Sequence, residues 1–281
     1  MQKIGAHVSA AGGAQNAPLN AKLEKCETFQ FFVSSPRTFQ FKQPTTEQIA
    51  EFKANCEAGG FTDTYVHASY LINLASTNNK TRHGSISLLR KGLDACALLG
   101  VTGMMFHTGS AKDYENKADG IKQAAASINK VLDGYKGKTK LLIENAAGAG
   151  STIGMNFTEV GELMKLVDKK YTKHLGVCLD TQHSFASGYD WRTKAGTDAA
   201  VKEFDKKIGL DNLVVIQYND SKTECGSNKD RHEHIADGNM GLQAAKNILG
   251  HPKLKNYSFC LETEPEGRAK DIKTLKTIRQ K

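Results

Sequence analysis

Eight short apolar segments with high β-propensity alternate along the chain with longer stretches of helical periodicity. The segments lie at 4–9, 28–33, 64–69, 103–108, 141–145, 175–180, 213–220 and 258–264. Most of them are apolar at nearly every position, as is typical of strands buried on both faces. Such strands, alternating with helices, predict a parallel sheet whose successive strands are joined by helical crossovers.

The stretches between the segments carry helix signals. Residues 45–60 combine a threonine at the N-cap position, amphipathic spacing and a Gly-Gly stop, and residues 85–100 end at a glycine. Further helices are predicted near 118–133, 158–168, 198–208, 241–250 and 268–280. Eight strands alternating with helices favour an α/β (β/α)8 barrel, a TIM barrel, with residues 1–281 as one domain. An open doubly wound sheet is the structural alternative, although no GxGxxG follows the first segment.

Composition restricts the class of protein. A length of 281 residues suits an α/β barrel, and 39% hydrophobic with 24% charged residues is typical of a globular protein. No run of 18 or more apolar residues predicts a membrane span, and the N-terminus lacks the apolar core of a secretory signal. The six cysteines form no CxxC pair, which favours reduced thiols. We therefore expect a reducing compartment such as the cytoplasm, with the nucleus and a virion left open.

The net charge is basic. Lys and Arg outnumber Asp and Glu by 38 to 30, which gives +8 at neutral pH, and the sequence pI is about 9.0. Such a field attracts polyanions and steers their encounter with the protein. Charge by itself only suggests nucleic acid, because many basic proteins bind none.

Histidines and carboxylates recur at the C-terminal ends of the predicted strands, where barrel enzymes carry their reactive groups. One such residue alone is more often a hydrogen-bonded structural group, but a recurrence on six elements indicates a shared site. Imidazole and carboxylate are ligands of zinc, manganese and iron, and the set is too large for one ion. A cluster of two or three metals is predicted, which suits phosphoester hydrolysis. The residues are His67, His107, Glu144, Asp180, His183, Asp230, His232 and Glu262.

Several longer stretches resemble the signature sequences of the endonuclease IV family, the apurinic/apyrimidinic endonucleases of base-excision DNA repair. The resemblance extends from IGAHVSAAGG at residue 4 to LETE at 261–264. The stretches are HASYLINLAS (67–76), FHTGS (106–110), IENAAGAGSTIG (143–154), GVCLDTQHSFASGYD (176–190) and NDSKTECGSNKDRHEHIADGNMG (219–241).

The resemblance implies a (β/α)8 barrel with up to three zinc ions at its mouth, held by the eight residues above. It places Glu144 at the bridging position and gives Glu144, Asp180 and Glu262 catalytic roles. It also implies that a metal-activated hydroxide attacks the phosphate 5′ to an abasic site in double-stranded DNA. The products would be a 3′-hydroxyl and a 5′-deoxyribose phosphate. We expect a monomer, because DNA must reach an open barrel mouth.

One position departs from the family's pattern. The ninth ligand of the family is a histidine two residues before the Asn-Asp of the seventh strand, where this chain has Gln217. An amide oxygen is a weaker zinc ligand that suits harder ions. Three hypotheses stay open: Gln217 ligates through its oxygen, a water takes its place, or the second metal is held weakly. We expect an active enzyme whose second site is weak or tolerant of manganese.

By the same resemblance, Arg37 and Tyr70 stand where the family inserts side chains into the duplex at the abasic site. Arginine stacks on bases and binds phosphate, and tyrosine is a rigid stacking surface. Asn145 and Asn219 are candidates for orienting ligands. His7 is interpreted as a core histidine rather than a residue of the barrel mouth.

Two other functions compete with a nuclease. A sugar isomerase or epimerase shares the barrel and a His/Glu/Asp metal site, but it needs fewer metals and no basic DNA-binding face. A damaged-DNA binding protein that has lost catalysis is the second rival, and Gln217 is its only support.

Overall fold

The eight predicted strands close into one parallel barrel in the computed structural model, which describes residues 2–280. The first strand pairs with both the second and the last, so the barrel sheet has no free edge. This closure excludes the open doubly wound sheet. The strands are β1 (Ile4–His7), β2 (Thr28–Phe31), β3 (Thr64–His67), β4 (Gly103–Phe106), β5 (Lys140–Glu144), β6 (Leu175–Asp180), β7 (Leu213–Gln217), β8 (Asp220–Ser221), β9 (His232–Glu233) and β10 (Ser258–Leu261).

Strands β8 and β9 do not belong to the barrel. They pair antiparallel with each other in the long connection that follows β7. The predicted strands ran up to three residues too far at their C-terminal ends, and the segment 213–220 covers β7 and the start of β8. The apolar and β-branched pattern continues there, but the chain leaves the hydrogen-bonded ladder at the barrel mouth.

Helices surround the barrel and follow the predicted order. The helix predicted at 45–60 has the capping box that its Thr45 suggests, since the side chain accepts from the Gln48 backbone N–H. The helices are α1 (Asn16–Leu23), α2 (Thr46–Gly59), α3 (Asn79–Leu99), α4 (Lys117–Leu132), α5 (Phe157–Leu166), α6 (Thr181–Ala186), α7 (Lys194–Lys207), α8 (Gly241–Leu249) and α9 (Arg268–Arg279).

Helices α1 and α6 were not predicted, and α3 begins six residues before the predicted start at 85. The apolar pattern of α1 is misleading, because it buries small residues such as Ala17 and Ala21 while Leu23 is 79% exposed. The start of α3 is polar, and the Asn78 side chain caps it by accepting from the Thr81 backbone N–H.

The strands separate two sets of apolar side chains. The larger core packs between the barrel wall and the surrounding helices. The smaller set fills the barrel interior, with one residue from each of six strands: Tyr65, Met105, Leu142, Cys178, Val215 and Cys260. Because side chains alternate across a strand, the residue two positions after each of these also points into the barrel, one layer closer to the mouth.

Two compositional expectations can be compared with the described chain. Among residues 2–280, no helix is both long and apolar enough to cross a membrane. All six cysteines are free thiols, and five of them are buried, in agreement with the expectation of reduced thiols.

Candidate metal centre

A ring of eight polar side chains lines the mouth of the barrel. Each barrel strand contributes one, either from its own residues or from the residue that follows it. Six of them lie two positions after a residue of the inner apolar layer, and the other two stand at the same level on β1 and β2, so strand periodicity turns all eight inward. We call this set the mouth ring. It consists of His7, Gln30, His67, His107, Glu144, Asp180, Gln217 and Glu262.

Three predicted site residues reach the mouth ring from connecting segments. His183 lies in the first turn of α6, where the Asp180 side chain accepts from its backbone N–H at 2.7 Å. Asp230 and His232 come from the long connection after β7, and His232 begins β9. The eight residues predicted from the sequence are therefore brought to one place.

Glu144 is the centre of this arrangement and is fully buried. Its Oε1 lies 3.0 Å from His107 Nε2 and 3.2 Å from His183 Nδ1, and its Oε2 lies 3.1 Å from His67 Nε2. A single carboxylate that faces three imidazoles can belong to more than one set of metal ligands.

The ligand atoms form three sets, and the atoms of each set lie within 4.8 Å of one another. Three buried atoms of the centre have charged groups close by but make no hydrogen bond of good geometry within the described residues: Glu144 Oε2, His183 Nε2 and His232 Nε2. Buried polar atoms are rarely left unpaired, so these atoms fit cations well. The sets are His67–His107–Glu144, Asp180–His183–His232 and Glu144–Asp180–Glu262.

The residues of the centre shift one another's pKa values. Burial opposes charge on Glu144, but His107, His183 and His67 hold the pKa of its carboxyl well below the usual range. Burial also opposes charge on His67, yet Glu144 raises the pKa of that imidazole to about 9. Burial raises the pKa of Asp180 against the influence of His183. Since imidazoles bind metals only when deprotonated, cations at these atoms would release protons.

Two asparagines that the sequence analysis named as candidates hold Asp180, Asn145 through its backbone and Asn219 through its carboxylate. Asn145 accepts from the Asp180 backbone N–H at 2.7 Å and donates to its carbonyl at 3.0 Å. Asn219 donates to Asp180 Oδ2 at 2.7 Å, and its side-chain oxygen accepts from the Glu262 backbone N–H at 2.7 Å. Asn219 thus joins the Asp180 carboxylate to the backbone of Glu262, and such partners keep metal ligands in one orientation.

The connection that carries Asp230 and His232 is held by Asp220, a buried carboxylate that the sequence analysis did not single out. Its two oxygens accept four backbone N–H groups at 2.7 to 3.0 Å. The donors are Ser221, Ala236, Met240 and Gly241. This carboxylate lies in the NDS stretch after β7, so its position beside a strand end was the available signal.

The structure corrects the interpretation of His7 and adds Gln30. His7 lines the cavity of the barrel mouth, and its Nδ1 lies 3.7 Å from Glu262 Oε1. Burial lowers the pKa of His7. Gln30 lies between them, 3.0 Å from His7 Nδ1, and donates to Glu262 Oε1. The alternation of β1 and β2 carried the signal for both residues.

Gln217 is fully buried at the end of β7. Its amide oxygen accepts from the Cys178 thiol at 3.1 Å, and its Nε2 lies 3.5 Å from Gln30 Oε1. The amide therefore has partners on both sides within the barrel.

Arg37 and Tyr70 follow β2 and β3 and are both exposed. Tyr70 is 59% exposed, and its ring packs edge-on against Phe32 with centroids 5.3 Å apart. The Ser69 hydroxyl donates to the Pro36 carbonyl at 2.6 Å, which joins the two loops. Tyr70 lines two cavities of about 310 and 330 Å³, and both also contain His107, His183 and Asp230.

The barrel and its polar mouth assign the protein to a broad class, the xylose isomerase-like TIM barrels. A family model described as "Xylose isomerase-like TIM barrel" matches residues 20–278. A solved "D-tagatose 3-epimerase-like protein" superposes with a TM-score of 0.74 at 16% identity, covering 99% of this chain and 97% of that one. At this identity the likeness concerns the fold alone.

More similar proteins narrow the class. The chain is 39% identical over 279 residues to a protein of Halothermothrix orenii named "Probable endonuclease 4", with 99% of each covered. It is 38% identical over 281 residues to a protein of the same name from Campylobacter hominis, again with 99% of each covered. The crystal structure of endonuclease IV from Thermus thermophilus superposes with a TM-score of 0.87 at 32% identity, with 99% of each chain covered. The chain belongs to the endonuclease IV family.

Proposed function

We propose that this protein is a metal-dependent DNA-repair endonuclease that hydrolyses the phosphodiester bond 5′ to abasic sites in double-stranded DNA. The observation that carries the proposal is the candidate metal centre: imidazoles and carboxylates from five barrel strands and two connecting segments converge on one barrel mouth in a member of the endonuclease IV family. The expected products are a 3′-hydroxyl and a 5′-deoxyribose phosphate.

The proposed cofactor is zinc, with up to three ions per chain. Three ligand sets share Glu144 and Asp180 between them, and three buried atoms of the centre make no hydrogen bond within the described residues. Imidazole and carboxylate are ligands that zinc accepts. When bound, the ions would supply Lewis acidity at a phosphoryl oxygen and make a water more acidic.

The chain's own residues would position the reacting groups. Glu144 belongs to two of the ligand sets and would help to hold an ion in each, and Asp180 and Glu262 would complete the neighbouring sets. Asn219 would hold the Asp180 carboxylate and the backbone of Glu262 in register. The half-exposed Asp230 faces His183 and His232 from the solvent side of the centre.

Arg37 and Tyr70 are proposed as DNA contacts. The exposed Tyr70 ring stands between two cavities that share residues of the metal centre, which places an aromatic surface beside the proposed site of phosphate cleavage. The net charge of +8 supports a polyanionic substrate. We propose that the protein acts as a monomer.

One assay tests the proposal against its rivals. The protein is incubated with a duplex oligonucleotide that carries one tetrahydrofuran site, with and without chelator. We expect nicking 5′ to this site that the chelator abolishes and zinc restores. Binding without nicking would indicate an inactive damaged-DNA binding protein. If the protein neither binds nor nicks this duplex, the proposal is contradicted. The sugar isomerase or epimerase would then remain as the alternative.

A further inference from the structure

Two glutamines of the mouth ring, Gln30 and Gln217, form a hydrogen-bonded chain with Cys178 below them and Glu262 beyond them. Cys178 donates to Gln217 Oε1 at 3.1 Å, and Gln217 Nε2 faces Gln30 Oε1 at 3.5 Å. Gln30 Nε2 in turn donates to Glu262 Oε1. The thiol and both amides are fully buried, and Glu262 is half-buried.

The direction of this chain follows from the chemistry of its ends. An ionised carboxylate only accepts hydrogen bonds, so Gln30 must present its NH2 group to Glu262 and its oxygen to Gln217. Gln217 must then present its own NH2 group to Gln30, which turns its oxygen towards Cys178. A thiol inside an apolar layer supplies a proton to that oxygen.

The consequence concerns the oxygen of Gln217. The thiol that holds it belongs to the inner apolar layer, one layer below the mouth ring. For the oxygen to reach a cation in the mouth, the amide would have to rotate and leave the Cys178 thiol. It would then present no NH2 group to Gln30, and a buried acceptor would be left unpaired at a cost of about 1–3 kcal/mol.

We infer that Gln217 is not a metal ligand but a positioning residue, which orients the Glu262 carboxylate through Gln30 and is itself held by the Cys178 thiol. This inference rests on the proposed function only for its kinetic readout. The second metal site then lacks a protein ligand on the β7 side, and the hydrogen-bonded chain is what keeps Glu262 aligned with Glu144 and Asp180 in their shared ligand set.

The first test uses Gln217→Met, which keeps the length of the side chain and removes both hydrogen bonds. We expect the same number of metal ions per chain as in the parent after dialysis. On the tetrahydrofuran duplex we expect kcat to fall roughly tenfold, with KM changed by less than about twofold. Loss of one ion per chain in Gln217→Met, with the full metal content kept in Cys178→Ala, would show that Gln217 is a ligand and overturn the inference. An unchanged ion count together with an unchanged kcat would overturn it as well.

A second set of variants covers the case in which Gln217→Met does not fold. Cys178→Ala removes the donor, and Cys178→Ser restores a donor of similar size. We expect kcat to fall in Cys178→Ala and to recover most of its value in Cys178→Ser. Cys260→Ala is the matched control, because it deletes a thiol of the same inner layer. If Cys260→Ala lowers kcat as much as Cys178→Ala, the effect is one of packing and the inference is wrong.

A structural readout separates this inference from the proposed function. In crystals of the zinc-loaded parent, we expect Gln217 Oε1 to remain on Cys178 and to lie beyond the zinc–oxygen bond length of about 2.0–2.2 Å. An ion at that distance from the oxygen would overturn the inference even if the enzyme is active. If the parent nicks no abasic duplex, the proposed function fails, while this distance and the ion count still decide the role of Gln217.

Discussion

Glu144 illustrates how much of this protein depends on single side chains. It is fully buried, its carboxylate faces three imidazoles, and its pKa is held well below the usual range by those neighbours. A group with this environment would be costly to bury alone. Its charge therefore implies partners that neutralise it, either protonated imidazoles or cations.

The variant Glu144→Gln tests this residue. Removing the charge while keeping the shape should lower the number of bound metals and reduce nicking by roughly a hundredfold or more, because the two ligand sets lose their shared carboxylate. Metal analysis after dialysis and the nicking assay measure both effects. Glu264→Gln changes an exposed carboxyl two residues after Glu262 and should match the parent. Full metal content in Glu144→Gln would refute the bridging role.

Tyr70 is the aromatic residue most exposed at the metal centre. If it stacks in the gap at an abasic site, Tyr70→Ala should weaken binding to the tetrahydrofuran duplex by roughly tenfold, since base–aromatic stacking contributes about 1–3 kcal/mol. Tyr70→Phe keeps the ring and should bind like the parent. Fluorescence anisotropy with damaged and undamaged duplexes measures the difference. An equal loss of affinity for both duplexes would argue against a role at the lesion.

At the scale of elements, the long connection between β7 and α8 shows how an irregular segment is made rigid. It carries Asp230 and His232, yet its only regular structure is the short pair β8 and β9. In place of regular backbone hydrogen bonding between strands, the Asp220 carboxylate holds the segment by accepting hydrogen bonds from four backbone N–H groups. The position of two proposed ligands thus depends on one side chain that touches no metal.

Asp220→Ala should release this connection. Leaving several buried N–H groups without acceptors should lower the free energy of unfolding by at least about 2 kcal/mol, and amide hydrogens of 221–241 should exchange faster. Urea unfolding and hydrogen exchange measure these changes. Asp237→Ala removes only an exposed ion pair with Lys270, so it should cost well under about 1 kcal/mol. Unchanged protection of the segment in Asp220→Ala would contradict this account.

Glu27 joins three elements on the other side of the barrel. It accepts from the Ile4 backbone N–H at 3.0 Å and from Arg279 at the end of α9. Burial works to raise the pKa of Glu27, but the bonds from Arg279 and Ile4 outweigh it and leave that pKa lowered. Since the folded pKa lies below the unfolded value of about 4.3, ionised Glu27 stabilises the fold above that value.

This stabilisation should be lost as the pH falls through the folded pKa. Glu27→Gln should therefore be less stable than the parent at pH 7, and the difference should shrink towards zero below about pH 4. Urea unfolding at pH 7, 5 and 3 measures it. Glu51→Gln, at an exposed position of α2, should show no such pH-dependent difference. A difference that stays constant from pH 7 to pH 3 would exclude the ion pair as the cause.

At the scale of the whole molecule, closure of the barrel creates the candidate metal centre. Proposed ligands from β3, β4, β5, β6 and β10 meet because each strand ends at the same rim. A cation bound there ties several strands together, so binding and stability should be linked.

Chelation should lower the Tm by several degrees, because a bound ion stabilises the folded state that provides its ligands. Differential scanning calorimetry with and without chelator, followed by zinc, should show the loss and its recovery. The Glu144→Gln variant should respond less than the parent. A Tm that the chelator leaves unchanged would indicate that the centre holds no tightly bound metal.

The sequence determined the barrel and most of the candidate site. The alternation of apolar segments with amphipathic stretches specified eight parallel strands, because a strand buried on both faces and a helix with one apolar face have different periodicities. The recurrence of imidazole and carboxylate at strand ends marked His67, His107 and Glu144 before any contact was known. Helix α1 escaped this reasoning, since it buries alanines and exposes its leucines.

The tertiary structure decided which side chains became neighbours. Sequence periodicity shows that alternate residues share a face, but only closure of the barrel makes that face an interior shared by distant strands. His7 and Gln30 therefore could be read as ordinary core residues until β1 and β2 met the other strands around one mouth. The direction in which the Gln217 amide points depends on Cys178 of the adjacent strand, 39 residues away in the chain. Such a contact is set by the register of two strands, which no local pattern records.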